Sequence, residues 1–222
     1  DASINIGAVG VTANDNLTIT STGTVDFQGA VNLGTGNLDV SFDTDNDGSE
    51  TLVIDQTITA NAIDFTGSGA TGGDTLDIDQ NLAAGTSLTL DNLQTVAVAQ
   101  DVDLSAANGN ISATTNIGAF SLDGTAGENE IKTTGGTGDI ALGAIGNSGT
   151  ASDLIVTTAA GTTLGDITLN GAVTGVGYVT INAGSTTSGN TGDVTINANI
   201  TAGDANGGIG IDIDATNDVT IA

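Results

Sequence analysis

Apolar residues recur along this chain at i, i+2 and i+6, with polar residues between them. The stretch Gly192-Asp193-Val194-Thr195-Ile196-Asn197-Ala198-Asn199-Ile200 shows the pattern best. An acidic turn leads into Val194 and Ile196 on one side and Thr195 on the other. Three residues then make a corner before Ile200. A strand puts i and i+2 on one face, whereas a helix puts them on opposite sides, so the spacing predicts a short strand, a bend and a second short strand. The same spacing holds for Val25, Phe27 and Val31, for Leu52, Ile54 and Ile58, for Leu76, Ile78 and Leu82, for Val96, Val98 and Val102, and for Ile167, Leu169 and Val173.

Weaker copies begin at Ile4, Phe120, Ile140 and Val219, and successive starts are 20 to 27 residues apart. Most intervals hold a second apolar pair, such as Leu17-Ile19, Leu38-Val40, Ile63-Phe65, Leu88-Leu90 or Val179-Ile181. Two or three short strands per unit of this length predict a solenoid, and with every segment strand-like the solenoid is a parallel β-helix. About nine to ten coils over one domain, residues 1–222, are expected. An antiparallel sandwich is the competing reading. The regular period, the scarcity of Asn-Gly hairpin turns and the near absence of aromatic residues count against it.

Composition sharpens this picture. Thirty-four glycines and no proline suit a chain that turns often yet needs every N–H in a parallel ladder. Four Phe and one Tyr require a narrow core of Val, Ile, Leu and Ala. Twenty-seven acids stand against one base, Lys132, for a formal charge of −26. Such a surface repels nucleic acid and anionic lipid, and no apolar run is long enough for membrane insertion. The absence of cysteine excludes a disulfide framework and thiolate metal sites, and suits an extracellular solenoid without staples. The acidity also fits a salt-adapted surface-layer protein.

The turns Gly138-Asp139-Ile140-Ala141-Leu142, Gly165-Asp166-Ile167-Thr168-Leu169 and Gly192-Asp193-Val194-Thr195-Ile196 resemble the β-strand-repeat regions of large bacterial surface proteins, the filamentous-haemagglutinin-like adhesins and passenger domains. The resemblance covers nearly the whole chain. It implies a right-handed parallel β-helix, export to the cell surface, and a role as stalk, filament or adhesin. The expected partners are further copies of the chain, and host or surface glycans. That family's N-terminal secretion module has no counterpart here. No functional residue carries over, because the repeats are scaffold.

The sharpest motif for chemistry is Asp43-Thr44-Asp45-Asn46-Asp47-Gly48-Ser49-Glu50. Alternating carboxylates followed by glycine match the first half of a calcium loop, where hard oxygens converge on one ion. Ile54 occupies the twelfth position in place of the usual bidentate Glu, so Glu50 or Asp55 must substitute. The expected metal ligands are Asp43, Asp45, Asp47 and Glu50, with calcium as the ion. The alternative is a solvated acidic bulge. Gly72-Gly73-Asp74-Thr75-Leu76 and Gly135-Gly136-Thr137-Gly138-Asp139 resemble calcium-binding nonapeptide repeats without their full spacing. Asp139, Asp166, Asp193 and Asp218 should stack on one corner, where a cation or simple salt screening would relieve their repulsion.

Catalysis has few materials. With no histidine and no cysteine, serine–histidine and cysteine–histidine mechanisms are excluded. A carboxylate-based glycan-active enzyme remains as an alternative, with Asp77/Asp79 and Asp212/Asp214 as outward pairs. Tyr178 alone offers a sugar-stacking ring. Thr168, Thr195 and Thr220 take equivalent outward positions, as an ice- or glycan-binding solenoid would use, although Asn5, Asp26, Val53 and other equivalents break the ladder. Asn16, Asn110 and Asn199 stand in glycosylation sequons. Neither end carries a proline or a lysine to blunt an exposed β-helix edge. The ends are therefore expected to be covered by more of the same β-helix, through a longer parent chain or head-to-tail stacking, with an advance of roughly 40–50 Å per chain.

Overall fold

The computed structural model describes residues 3–10, 14–46, 50–69, 73–115, 117–122, 127–135, 137–147, 152–158, 164–183, 192–202 and 210–222. Every regular element among them is a β-strand, and every strand pairing is parallel. The chain winds through three faces in fixed order, so each strand pairs with its counterpart one coil away.

Face A is a nine-stranded sheet running from Ile4–Ile6 through Val25–Phe27, Thr51–Ile54, Thr75–Ile78, Thr95–Val98, Ala119–Leu122, Ile145–Asn147 and Val173–Val176 to Ile200–Ala202. Faces B and C belong to one sixteen-stranded sheet, because Ile58–Thr66 and Leu82–Asp91 each run across both. A register shift between Ala84 and Ser87 marks the bend where they do so. Face B then continues as Asp103–Ala106, Glu128–Thr133, Asp153–Thr157, Tyr178–Ala183 and Gly210–Ala215. Face C continues as Ile111–Ala113, Ile140–Leu142, Ile167–Leu169, Val194–Ile196 and Val219–Ile221.

Alternation within each short strand dictates this winding. In Val25–Phe27 the outer residues are buried and Asp26 is turned out, and the same holds for Ile167–Leu169 about Thr168. Because register is preserved from coil to coil, inward residues form columns. Val25, Leu52, Leu76, Val96, Phe120, Ile145 and Val173 stack on face A. None of them is more than 2% exposed. Leu38, Ile63, Leu88, Ile111, Ile140, Ile167 and Val194 form the matching column on face C. A column of aliphatic side chains at strand spacing excludes water along the axis, and this burial is the main favourable term.

The expected coil starts need one correction. Starts from Ile4 to Phe120 lie on face A, where the partner after Phe120 is Ile145. Ile140, Ile167, Val194 and Val219 lie on face C. The i, i+2, i+6 spacing marks the corner from A to B early in the chain and the corner from C to A later. At both corners a short strand of three or four residues meets a short bend, so Phe120 and Ile140 mark the same coil. Nine strands stack on face A, eight turns separate Ile4 from Ile200, and Gly210–Ala215 and Val219–Ile221 close the last coil; the ten starts expected from sequence exceed the face A strands by one. The same shift of face alters the threonine reading. Thr168, Thr195 and Thr220 do stack in register, but their neighbours in the column are Ala141 and Ser112. Asn5, Asp26 and Val53 belong to face A.

Candidate metal centre

Most passages from face C to face A are brief, such as residues 92–94, 143–144, 170–172 and 197–199. Two successive ones are much longer, residues 42–50 and 67–74. Their acids meet. Ser41 pairs with Thr66, so Asp43 and Ser68, each two residues beyond, hold the same position one coil apart. Thr51 pairs with Thr75, so Glu50 and Asp74, each directly before its strand, do likewise. The Thr75 N–H donates to the Glu50 carbonyl at 2.9 Å, and the Gln94 and Thr95 N–H groups donate to the Asp74 carbonyl at 3.1 and 3.0 Å. The ladder thus fixes the backbone on which both acids sit.

Asp43 and Asn46 adopt φ of 48° and 54°, the left-handed region that Asp and Asn tolerate better than most residues. The Asn46 N–H donates back to the Asp43 carbonyl at 3.1 Å. This fold-back turns both side chains toward the next coil. There Ser68 Oγ lies 2.7 Å from Asp43 Oδ2, 2.8 Å from Asp74 Oδ2 and 3.0 Å from Asn46 Oδ1, while the Ser68 N–H donates to Asp74 Oδ2 at 2.6 Å. A β-carbon on Gly67 would sit 2.5 Å from the Asn92 carbonyl oxygen and 2.8 Å from Asp74 Oδ2, so only glycine fits there.

One carboxylate oxygen from each of Asp43, Glu50 and Asp74 lies within 4.8 Å of the other two. Asp43 and Asp74 are wholly buried, and Asp74 Oδ1 is buried with no hydrogen-bond partner. Burial pushes the Asp74 carboxyl above the usual carboxylate range. The two Ser68 hydrogen bonds oppose that rise and the neighbouring Asp43 adds to it. A hydroxyl carries one hydrogen, so Ser68 Oγ satisfies only one of the two carboxylates it touches at any moment. No basic side chain compensates. Lys132, the sole base, sits on face B, 3.0 Å from Asp103 Oδ2 and bonded also to Glu130. Burial lowers its pKa, and the Glu130 and Asp103 carboxylates together outweigh that and raise it.

Of the ligands expected from sequence, the structure brings together Asp43 and Glu50. Asp45 is exposed and stands outside the trio, and Asp47 lies outside the described residues. Asp74 takes part instead, from the next coil. Its sequence signal is the Gly72-Gly73-Asp74 fragment, which nothing local connects to the 43–50 run. Three carboxylates with hydroxyl and amide oxygens nearby form a hard-oxygen donor set that fits calcium chemistry.

The second acidic feature has a different solution. Asp139, Asp166, Asp193 and Asp218 stack in register, and each links to its neighbour through the backbone. Asn110 Oδ1 accepts the Asp139 N–H, Asp139 Oδ1 the Asp166 N–H, and Asp166 Oδ1 the Asp193 N–H, all at 2.9 Å, and Asp193 Oδ1 accepts the Asp218 N–H at 3.1 Å. All four carboxylates are partly or fully exposed, and those of Asp139, Asp166 and Asp193 accept a backbone N–H, so nothing in their geometry calls for an ion. Asp77 faces outward on face A, with Asp79 just past its strand, and Asp212 and Asp214 face outward on face B. No family model, no curated protein and no solved structure matches the chain.

Proposed function

We propose that the chain is a structural segment of an extracellular fibre, stalk or adhesin, stabilised by calcium and continued end to end by further coils of the same kind. The observation that carries this reading is the state of the two terminal coils. At one end Ile211, Val219 and Ile221 are exposed, Ile221 by 68%. Ile211 and Ile221, with Ile196, Ile200 and Ile213, surround an apolar depression of about 200 Å³. At the other end Ile4, Ile6, Val9, Leu17 and Ile19 line an open hollow of about 370 Å³. Each end offers open strand edges around an apolar floor, and open edges recruit further strands.

All strands run parallel, so the two ends differ and a coil added at either end keeps the same polarity. Contacts of that kind are heterologous and extend into open filaments. The added coil can come from a longer parent chain or from a second copy. Surface glycans, as adhesion partners, would meet the polar outer faces. Electron microscopy of the native assembly tests this reading, with a shaft of constant width as the expected image. In solution, association should rise with concentration and fall in Ile221→Asp. A monodisperse monomer at every concentration, globular in images of the native assembly, would refute it.

A further inference from the structure

We infer that the two long corners share one hard divalent cation of calcium size, held by Asp43, Glu50 and Asp74, so that the ion staples two successive coils. The inference rests on the reading that calcium stabilises the shaft, and it replaces the contiguous 43–50 ligand set with one that spans coils. Calcium takes oxygen ligands at about 2.3–2.6 Å, so oxygens on opposite sides of the ion stand about 5 Å apart. The three carboxylate oxygens lie within 4.8 Å of one another and can therefore all reach one ion. Ser68 Oγ, which touches Asp43 and Asp74, and Asn46 Oδ1, which touches Ser68 Oγ, supply neutral oxygens beside it.

An independent observation points to a ligand. Asp74 is 0% exposed, and its Oδ1 has no hydrogen-bond partner. A buried carboxylate oxygen without a partner is costly, and the protein's single basic side chain is committed elsewhere. A cation from solution supplies the missing charge. Without nitrogen or sulfur donors the set favours calcium over softer transition metals. Because Asp43 and Glu50 come from one corner and Asp74 from the next, the ion closes both extended passages against each other where neighbouring coils rely on short bends.

The test uses the intact chain at constant ionic strength, with calcium binding followed by calorimetric titration and stability by thermal melting. Asp74→Asn should weaken calcium binding at least tenfold and remove most of the calcium-dependent rise in Tm. It keeps an acceptor for Ser68, and circular dichroism without calcium checks its fold. Glu50→Gln, at a less buried position, should give the same loss and serves if Asp74→Asn does not fold. Asp45→Asn should retain both binding and stabilisation. If calcium stabilises the wild type but Asp45→Asn abolishes the effect while Asp74→Asn and Glu50→Gln preserve it, the stapling set is wrong and calcium stabilisation stands. If the wild type neither binds calcium nor gains stability from it, both fall.

Discussion

The backbone N–H of Asp193 donates to Oδ1 of Asp166, one coil earlier, at 2.9 Å. Stacked carboxylates at the strand spacing of about 4.8 Å repel by roughly 0.9 kcal/mol in water. A hydrogen bond to a charged acceptor contributes about 1.5–3 kcal/mol where it is shielded, and less where water competes. The bond therefore offsets the repulsion, and each acid ties its coil to the next. Directly before it, a β-carbon on Gly165 would lie 1.9 Å from the Gly138 carbonyl oxygen. The recurrent Gly-Asp before face C strands thus has two physical causes. Glycine lets the coils close, and aspartate ties the N–H that follows.

Asp166→Ala removes the acceptor and leaves the Asp193 N–H to water. It should cost about 0.5–1.5 kcal/mol by urea unfolding. Asp166→Asn keeps an Oδ1 acceptor and removes a charge from the stack, and should stay within about 0.5 kcal/mol of wild type. Asn110 already plays that part toward Asp139. Equal losses in the two variants would show that charge, not acceptance, matters at this corner.

Gly165→Ala should be far more costly than its single methyl suggests. The obstructing atom is a backbone oxygen of the preceding coil, which cannot swing aside as a side chain does. Overpacking of this kind costs about 1–3 kcal/mol or more. Gly146, whose added β-carbon meets nothing within 4 Å, is the control and should accept alanine with little loss. Both are read from thermal or urea unfolding.

The fold was legible because alternation in strands as short as Ile167–Leu169 fixes which side is buried, and the coil period fixes the stacking. What could not be read was the face. The A-to-B corner at 55–57 and the C-to-A corner at 197–199 are equally long and flanked by the same apolar spacing, so no local pattern separates them. For the same reason the threonine column was assigned neighbours from another face. At the candidate metal centre, Asp43 and Glu50 lie in one acidic run and were visible together. Asp74 is far from them in sequence and reaches them only through the pairing of Thr51 with Thr75. Ser68 and Asn46 carried no local signal, since their roles arise from the φ of Asp43 and Asn46.

Monovalent salt should stabilise the chain. The Asp139, Asp166, Asp193 and Asp218 stack adds to a net charge of −26, and the Debye length falls from about 10 Å at 0.1 M to about 3 Å at 1 M. Tm should rise with sodium chloride in chelator, and rise less in Asp139→Asn/Asp166→Asn/Asp193→Asn. An unchanged salt slope in that triple variant would place the repulsion elsewhere.

Asp64 offers a separate pH test, away from the candidate metal centre. It pairs across face C with Asp39, while Asp91 lies diagonally across the next coil, opposite Thr66. Burial first, then the Asp39 charge, raise the Asp64 pKa above its ordinary value of 3.8, with the Thr66 hydroxyl opposing and Asp91 adding to the rise. Where the folded pKa exceeds the unfolded one, the folded state binds more protons between them. Stability therefore falls as pH climbs from below the ordinary carboxylate value through the folded pKa, and ionised Asp64 is a net cost at neutral pH. Asp64→Asn should accordingly raise Tm at pH 7, since its amide oxygen still accepts from Thr66 Oγ1, which lies 3.3 Å from Asp64 Oδ1. The gain should shrink as pH falls and disappear once Asp64 is protonated in both states. Melting both proteins from pH 7 to pH 3 in chelator decides it. A gain that is independent of pH would mean that the substitution acts through packing, and a loss at pH 7 would mean that the Asp64 charge is stabilised by its surroundings.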